Sequence, residues 1–515
     1  MNIIDWFDIG KVSAERDDNL SHYFFDNGIL ASVIASPSSF LVLGRKGAGK
    51  TAVFKHLTQN PAKYIAREDI LVPLSLEDYN WRVHKLLESR EAAESLAFKQ
   101  SWRFVLLVEA VRALAKRLEE TSKSIPKPIS GAVKLLEKLF AHPLPGIVQI
   151  IGRKLLSLSK LKLPSGGLDL EDGGLDSVEV SAGEVEFSEV EGDGSLQSAL
   201  SQNIGRIISF LERALDDSKL QGKAFICFDR VDEAWDSVSV GLSKKVIAGL
   251  VGAADAITQK FKGLIRPIVF LREDIFATLP LNDSNKLRED CGSLLKWEKE
   301  GLEKLLLKRI NYFANNNDLA AISSINDLFD KKEMRQRLPP FGYLLRRSMM
   351  RPRDLISFLH RIIESMREKM NDPFQTDYSP GESLEVEAIY DAEPGYSDWL
   401  KEEIIDEWGV QYPQIRDQLN AIQNIGSTNI SSEQLKTGLG QPSPIKDAEF
   451  IDALRFLFEN SILGFKSGSS TIWKYKCFHP SQGFVETGEY KIHDGLVRCL
   501  NLKEPRSSAE AEVSQ

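Results

Sequence analysis

Cysteine is scarce: four in 515 residues, scattered at 227, 291, 477 and 499. Such thiols exclude a disulfide framework and suit a reducing cytoplasm. Histidine is scarce too, seven in all, and no Ser-His-Asp or Cys-His arrangement can be argued from them. Long apolar runs are missing. The longest candidate, PLPGIVQIIG at 143–152, falls short of the roughly 20 residues that a membrane helix needs. The start, MNIIDWFDIGKVSAERDD, has no basic stretch followed by an apolar centre, so no secretory signal is expected. These absences together predict a cytoplasmic chain with no membrane contact. A basic surplus is also lacking. The net charge is −9, yet residues 165–195 carry ten acids and no Lys or Arg; without them 65 bases face 64 acids. A near-neutral body gives no support for a large nucleic-acid surface. What is present, 42% apolar and 27% charged residues, is the make-up of a globular protein, and the length predicts roughly two to four domains.

Short apolar runs and helical periodicities alternate from 40 to 275. SSFLVLG, DILVPLSL, KAFICFD and RPIVFLRED read as buried strands. Residues 50–58, 91–120, 196–217 and 241–261 read as helices. In 91–120, Leu96, Trp102, Val105, Leu106 and Val108 share one side. This alternation predicts an α/β fold with a parallel sheet. Residues 12–36 read as helical through Leu20, Phe24 and Leu30, and 126–164 as an inserted helical excursion. The Gly-, Ser- and acid-rich 165–195 cannot bury enough surface to offset its ordering entropy, so disorder is expected, with a hairpin through VEVSAGEVEF as the competing reading. After 295 the strand signal stops, and 335–349, 353–369, 396–425 and 447–460 read as helical. SILGFKSGSSTIWKYKCF follows as two short strands around a Gly/Ser turn, completing a winged-helix pattern.

GRKGAGKT, behind the first strand, fits G-x-x-x-x-G-K-[ST]. Gly44, Gly47 and Gly49 let the backbone curl so that successive N–H groups can face phosphate oxygens, and the next helix presents its N-terminus to the same anion. The nucleotide-binding residues expected are Gly44, Arg45, Lys46, Gly47, Ala48, Gly49, Lys50, Thr51 and Ala52. Lys50 reaches the β/γ oxygens and Thr51 offers its hydroxyl to Mg²⁺. The carboxylate such a site needs at a strand end is supplied by AFICFDRVDEAWD: Asp229 for Mg²⁺, with Glu233 or Asp232 orienting the attacking water. The ligands expected are therefore ATP and Mg²⁺.

FDRVDEAW resembles the corresponding region of the STAND and KAP branches of P-loop ATPases, which are related to AAA+ proteins. AERDDNLSHYF, GRKGAGKTAVF, IVFLRED, LLKWEKEGLEKLLLKRI, RPRDLISFLHR and YKIHDGLVRCL, in that order, are similar to a set of bacterial P-loop ATPases of about this length, over residues from about 8 to 500. The resemblance implies that Arg272, at a strand tip, and Arg353, on a helical lid, sense the γ-phosphate. Against these stand a salt bridge of Arg272 to Glu273 or Asp274, and a capping role for Arg353 on a solvated face. Arg288 and Arg309 both remain open as an arginine acting on a neighbouring subunit. The implied organisation is an N-terminal helical segment (1–36), a P-loop core (37–294) with an insert at about 122–195, and a helical lid (295–372). A winged-helix-like domain (373–503) and a disordered tail (504–515) follow. The implied function is an ATP-hydrolysing switch that engages a protein partner or self-assembles, of a kind that accompanies bacterial anti-phage systems.

Two other functions compete: a DNA-loading or remodelling ATPase similar to origin-binding AAA+ proteins, and a P-loop phosphotransferase. The helix expected at 447–460 carries Asp447, Glu449, Asp452 and Glu459 against Arg455, a balance that repels phosphates. Lys466, Lys474 and Lys476 keep DNA as the minority reading. The phosphotransferase leaves the long helical and winged-helix region without a purpose. Cys477, His479, His493 and Cys499 contain the residue types of a zinc site, but their spacing matches no finger.

Overall fold

In the computed structural model the residues described are 1–76, 94–140, 158, 194–234, 240–334, 337–375, 377–441, 443–468 and 470–504. The acidic segment and its possible hairpin, most of the insert and the C-terminal tail lie outside them. The chain divides into two compact units. A sheet unit comprises Asp26–Arg45 and Gly49–Leu295; a helical unit comprises Met1–Phe25, Lys46–Ala48 and Lys296–Gln515.

Among the described residues of the sheet unit, five strands form one parallel sheet: β1 (Leu41–Gly44), β2 (Ile70–Ser75), β3 (Ala224–Asp229), β4 (Ile265–Arg272) and β5 (Gly292–Leu294). Their order is β2-β3-β4-β1-β5. The predicted α/β core is therefore present. β1, β3 and β4 are buried along their whole length, which is why they read as continuous apolar runs rather than alternating ones. Helices Glu94–Glu120, Gly194–Asp217 and Val240–Lys260 pack with the sheet into one apolar core. Trp102 anchors two of them, its Nε1 donating to the Val246 carbonyl at 2.9 Å. Gly249 lets these helices approach: a Cβ there would lie 2.6 Å from the Cβ of Phe98.

In the helical unit, Lys299–Asn316, Pro340–Arg347, Pro352–Asn371, Val386–Trp408 and Ile415–Ile425 enclose a second core, joined by Ile3, Trp6, Phe7 and Ile9 from the start of the chain. The expected continuous helix over 12–36 is instead a sequence of short pieces, Ala14–Arg16, Leu20–Tyr23 and Ile29–Ala35. Gly28 breaks it at φ +88°, and Asp17 is withdrawn to a buried ion pair with Arg309 at 2.6 Å.

The C-terminal helices Ser432–Leu439 and Asp447–Glu459 accompany an antiparallel sheet of β6 (Asn429–Ser431), β7 (Leu463–Phe465) and β8 (Glu489–Ile492), in the order β6-β8-β7. The hairpin expected within 461–478 differs. Among the described residues β7 meets the second half of that segment through a bridge from Phe465 to Lys474, and its strand partner is β8. Gly464 faces the Tyr475 ring, so the returning chain packs through an aromatic side chain instead of a ladder.

His493, beyond β8, is fully buried, and its Nδ1 accepts the Gly495 N–H at 3.1 Å. Burial pushes its pKa down from 6.5 to about 4, against the pull of Asp494. A buried neutral imidazole contributes stability above the unfolded value of 6.5 that is lost as pH falls toward 4. The loss should reach about 3 kcal/mol at its limit. Thermal unfolding followed from neutral pH to pH near 4 should show this decline, and His493→Asn, which keeps an acceptor, should flatten it.

Candidate functional site

The phosphate-loop motif occupies the tip of β1, which lies between β4 and β5. Gly44 lies in register with Arg272, the last residue of β4. The backbone then passes through Gly47 at φ +79° and Gly49 at φ +101°, conformations that side chains with a Cβ rarely adopt. A Cβ on Gly49 would meet nothing within 4 Å, so glycine serves the backbone turn there and the space beside it is open. Helix Lys50–Gln59 begins at once. The Nζ of Lys50 donates to the carbonyls of Gly44 and Arg45 at 3.1 and 3.3 Å. Burial pushes the Lys50 pKa down and Arg272 adds to this, while Asp232, Asp274 and Asp229 oppose it.

Asp229 closes β3 and is 3% exposed. The Thr51 hydroxyl donates to its carboxylate, as does the N–H of Arg230. Burial is the larger influence and pushes its pKa up to about 6, with Asp232 adding to the rise and Lys50 opposing it. Arg230 turns the chain sharply, at φ +58°, and Asp232 follows in the short turn Val231–Ala234. The backbone of Glu233 shares that turn, but its side chain lies outside the described residues.

Arg272 forms a two-point pair with Asp274, at 3.1 and 2.6 Å, as the alternative reading of the sequence expected. Its charge nonetheless acts on Lys50. Arg288 pairs with Glu273. Arg309 is 5% exposed, donates to the carbonyl of Ile9 at 2.8 Å and lies over Tyr23 at 4.7 Å. It is enclosed in this arrangement, which does not suit an arginine reaching a neighbouring subunit.

Residues 46–48, the middle of the motif, belong to the helical unit. The Lys46 carbonyl accepts from Arg351 at 3.3 Å and the Ala48 carbonyl from Trp297 at 2.8 Å. Arg353 packs against Gly47: a Cβ there would lie 3.2 Å from the Arg353 Cβ. Arg353 opens helix Pro352–Asn371 behind Pro352, as a proline at the first helical position dictates. Its guanidinium donates to Glu403 at 3.0 Å, and the Lys46 ammonium lies 3.6 Å from the same carboxylate. Arg351 is held by Asp354 at 3.0 Å and Glu407 at 3.1 Å. Its Nη2 is buried with no hydrogen-bond partner among the described residues.

Residues 300–405 match the FunZ-associated C-terminal helical domain. Over 509 residues the chain is 24% identical to the transposon gamma-delta 80.3 kDa protein of Escherichia coli (strain K12), covering 96% of this chain and 67% of that one. Among solved structures it is similar to the Aeropyrum pernix ORC1 protein in complex with DNA, at 11% identity and a TM-score of 0.34, covering 89% of this chain and 90% of that chain. CDC6P from Pyrobaculum aerophilum matches at 11% identity and 0.32, covering 94% and 96%. The Walker-type ATPase PABY2304 of Pyrococcus abyssi matches at 12% identity and 0.37, covering 96% and 98%. At scores this low the fold rests on the chain's own sheet and loop.

Arg351, Glu403 and Trp297 belong to no phosphate-site motif in the sequence. Arg351 and Asp354 bracket the RPRD motif at helical spacing, a signal that was available; Glu403 and Trp297 carry none, because their partners are distant in sequence. For the zinc ligand types, the Cys477 Sγ lies 3.8 Å from His493 Nε2, while Cys499 donates to the Leu496 carbonyl. Among the described residues no group of three metal-ligating side chains occurs.

A carboxyl whose folded pKa is raised from 3.8 to about 6 contributes stability that is complete below 3.8 and lost as pH rises through 6. Without nucleotide and magnesium, Asp229→Asn should therefore be more stable than the wild type at pH 8, by up to about 3 kcal/mol, and unfold at a higher temperature. The difference should vanish near pH 4, and calorimetry at both values checks it.

Proposed function

We propose that this protein is a P-loop ATPase that uses ATP and Mg²⁺ and works as a nucleotide-operated switch. One observation carries the reading: the Thr51 hydroxyl is bonded to the buried Asp229 carboxylate, with Lys50 acting on the same group. Two adjacent oxygen donors, one a carboxylate whose charge burial disfavours, suit a hard divalent cation. When bound, such an ion neutralises charge on the β- and γ-phosphates. Lys50 exchanges the loop carbonyls for phosphate oxygens, and the N–H groups at the start of its helix bind the same anion. Asp232 or Glu233 orients the attacking water. The electrostatic pull of Asp232 on Lys50 supports a carboxylate near the phosphates.

The switch works through residues 46–48. A phosphate gripped by the loop fixes a tip whose carbonyls and glycine are also held by Arg351, Trp297 and Arg353. Arg353 exchanges Glu403 for the γ-phosphate, and hydrolysis returns it. The helical unit, with its winged-helix-like end, responds by engaging a protein partner or a second copy; the STAND- and KAP-like ATPases that the sequence resembles often accompany bacterial anti-phage systems. The second reading is a DNA-stimulated ATPase, favoured by the relative described as a transposon protein. The acids of helix Asp447–Glu459 oppose it.

Lys50→Ala should abolish binding of labelled ATP, and Glu233→Gln should retain ATP while turnover falls roughly 10²-fold or more. Glu233→Gln hydrolysing at the wild-type rate would transfer the water-orienting role to Asp232. Arg353→Ala should lower turnover and ATP affinity; if neither changes, it is not a γ-phosphate sensor. Sizing the full chain with and without ATP and Mg²⁺, together with DNA-stimulated hydrolysis assays, separates the two readings.

A further inference from the structure

Within the helical unit, a cavity of about 500 Å³ opens beside the segment that follows β7, inside the usual size range of small-ligand sites. Its aromatic walls are Trp473, Tyr475 and Phe478. Tyr475 is fixed by a hydrogen bond from its hydroxyl to the Ile492 carbonyl at 3.2 Å. Phe478 is stacked on His493 at 5.7 Å. Trp473 stands at the outer edge, with the Lys466 ammonium 4.3 Å from its ring centroid. Beside it Ile472 is 65% exposed, so this rim is open to solvent.

The same cavity is lined by Lys299, Arg346 and Lys491 against a single acid, Asp494. Lys491 pairs with Asp494 at 2.8 Å and Arg346 pairs with it from the other side. Burial resists ionisation of Asp494, yet Lys491 and Arg346 together hold its carboxyl below the usual range. It is therefore charged at neutral pH, and the cavity keeps an excess of two positive charges. The part-exposed Trp473 ring at the open rim, next to a double positive excess, defines a ligand with a planar ring and a doubly charged anion.

We propose that this cavity binds a nucleoside phosphate monoester: either a free mononucleotide or the phosphorylated end of a single strand. A phosphate monoester carries about −1.5 to −2 at pH 7, which matches the excess, whereas an internal phosphodiester carries half of that. Bases stack on aromatic platforms with little regard to identity. A phosphotyrosine peptide is disfavoured. Readers of that kind rest on clusters of arginine, and this cavity offers one, already paired with Asp494. The proposal is independent of the ATPase reading, because it involves none of the phosphate-loop residues.

The test uses the full chain carrying Lys50→Ala, so that the phosphate loop does not contribute. Calorimetry with AMP is paired with fluorescence anisotropy of a short oligothymidylate, with and without a 5′-phosphate, and of a phosphotyrosine peptide. Binding of AMP or of the phosphorylated strand with Kd below about 1 mM is expected. Trp473→Ala should weaken it roughly 5- to 150-fold, and Lys299→Glu, at an exposed position, should weaken it without disturbing the fold seen by circular dichroism. A phosphorylated strand that binds more tightly than AMP identifies a strand end; equal affinities identify the free nucleotide. Preference for the peptide, equal binding of the strand without its phosphate, saturation by none of the probes, or no effect of either substitution overturns the proposal. ATP turnover of the wild-type chain is measured separately, so failure here leaves the ATPase reading standing.

Discussion

The eight residues from Gly44 to Thr51 are shared. Their ends belong to the sheet unit and their middle, Lys46–Ala48, to the helical unit. A peptide of this length has little slack, and its turn is set by two glycines with positive φ. The tip is not left to solvent. Two of its carbonyls accept from Arg351 and Trp297, and its central glycine lies against Arg353. Under the proposed function, these hydrogen bonds are the ones that a bound phosphate would compete with or reinforce.

The charges around the loop bear on the proposed nucleotide and magnesium. Asp229 is buried at a strand end and disfavours its own ionisation, while Lys50 is pushed toward neutrality by burial. Each gains from a partner of opposite sign, and a metal–triphosphate pair supplies both at once. Arg351 is arranged differently. Asp354 and Glu407 more than offset the cost of its burial and raise its pKa. A buried pair of this kind contributes more to a unique arrangement than to net stability, and the arrangement it sets here is that of the loop tip.

The C-terminal sheet illustrates how a short strand finds a partner. β7 has three residues, too few to support a hairpin alone. Beyond it the chain returns by packing Tyr475 over Gly464 and leaves the ladder to β8, which pairs on both sides. Close to the Phe465–Lys474 bridge, Trp473, Tyr475 and Phe478 line a cavity instead of extending the sheet.

Much of the core was legible because burial on both faces of a parallel sheet leaves unbroken apolar runs, and LVLG, AFICFD and IVFLR have no other reading at that length. The phosphate motif was legible because glycine, lysine and threonine at that spacing meet local backbone and charge requirements. Asp229 was legible as the acid at a strand end. By contrast, the broken helix over 12–36 was not, since periodicity does not register that Asp17 is drawn into a pair with Arg309 from nearly three hundred residues away. The partners of the loop tip were hidden for the same reason: Trp297 and Glu403 meet residues 46–48 only after the chain has folded. The sequence by itself determined which residues can curl around a phosphate and which strands lie beside them, because those are properties of neighbours along the chain. Only the tertiary structure decided that the tip of the curl is gripped by arginines of the helical unit, because hydrogen bonds between remote residues leave no trace in local pattern.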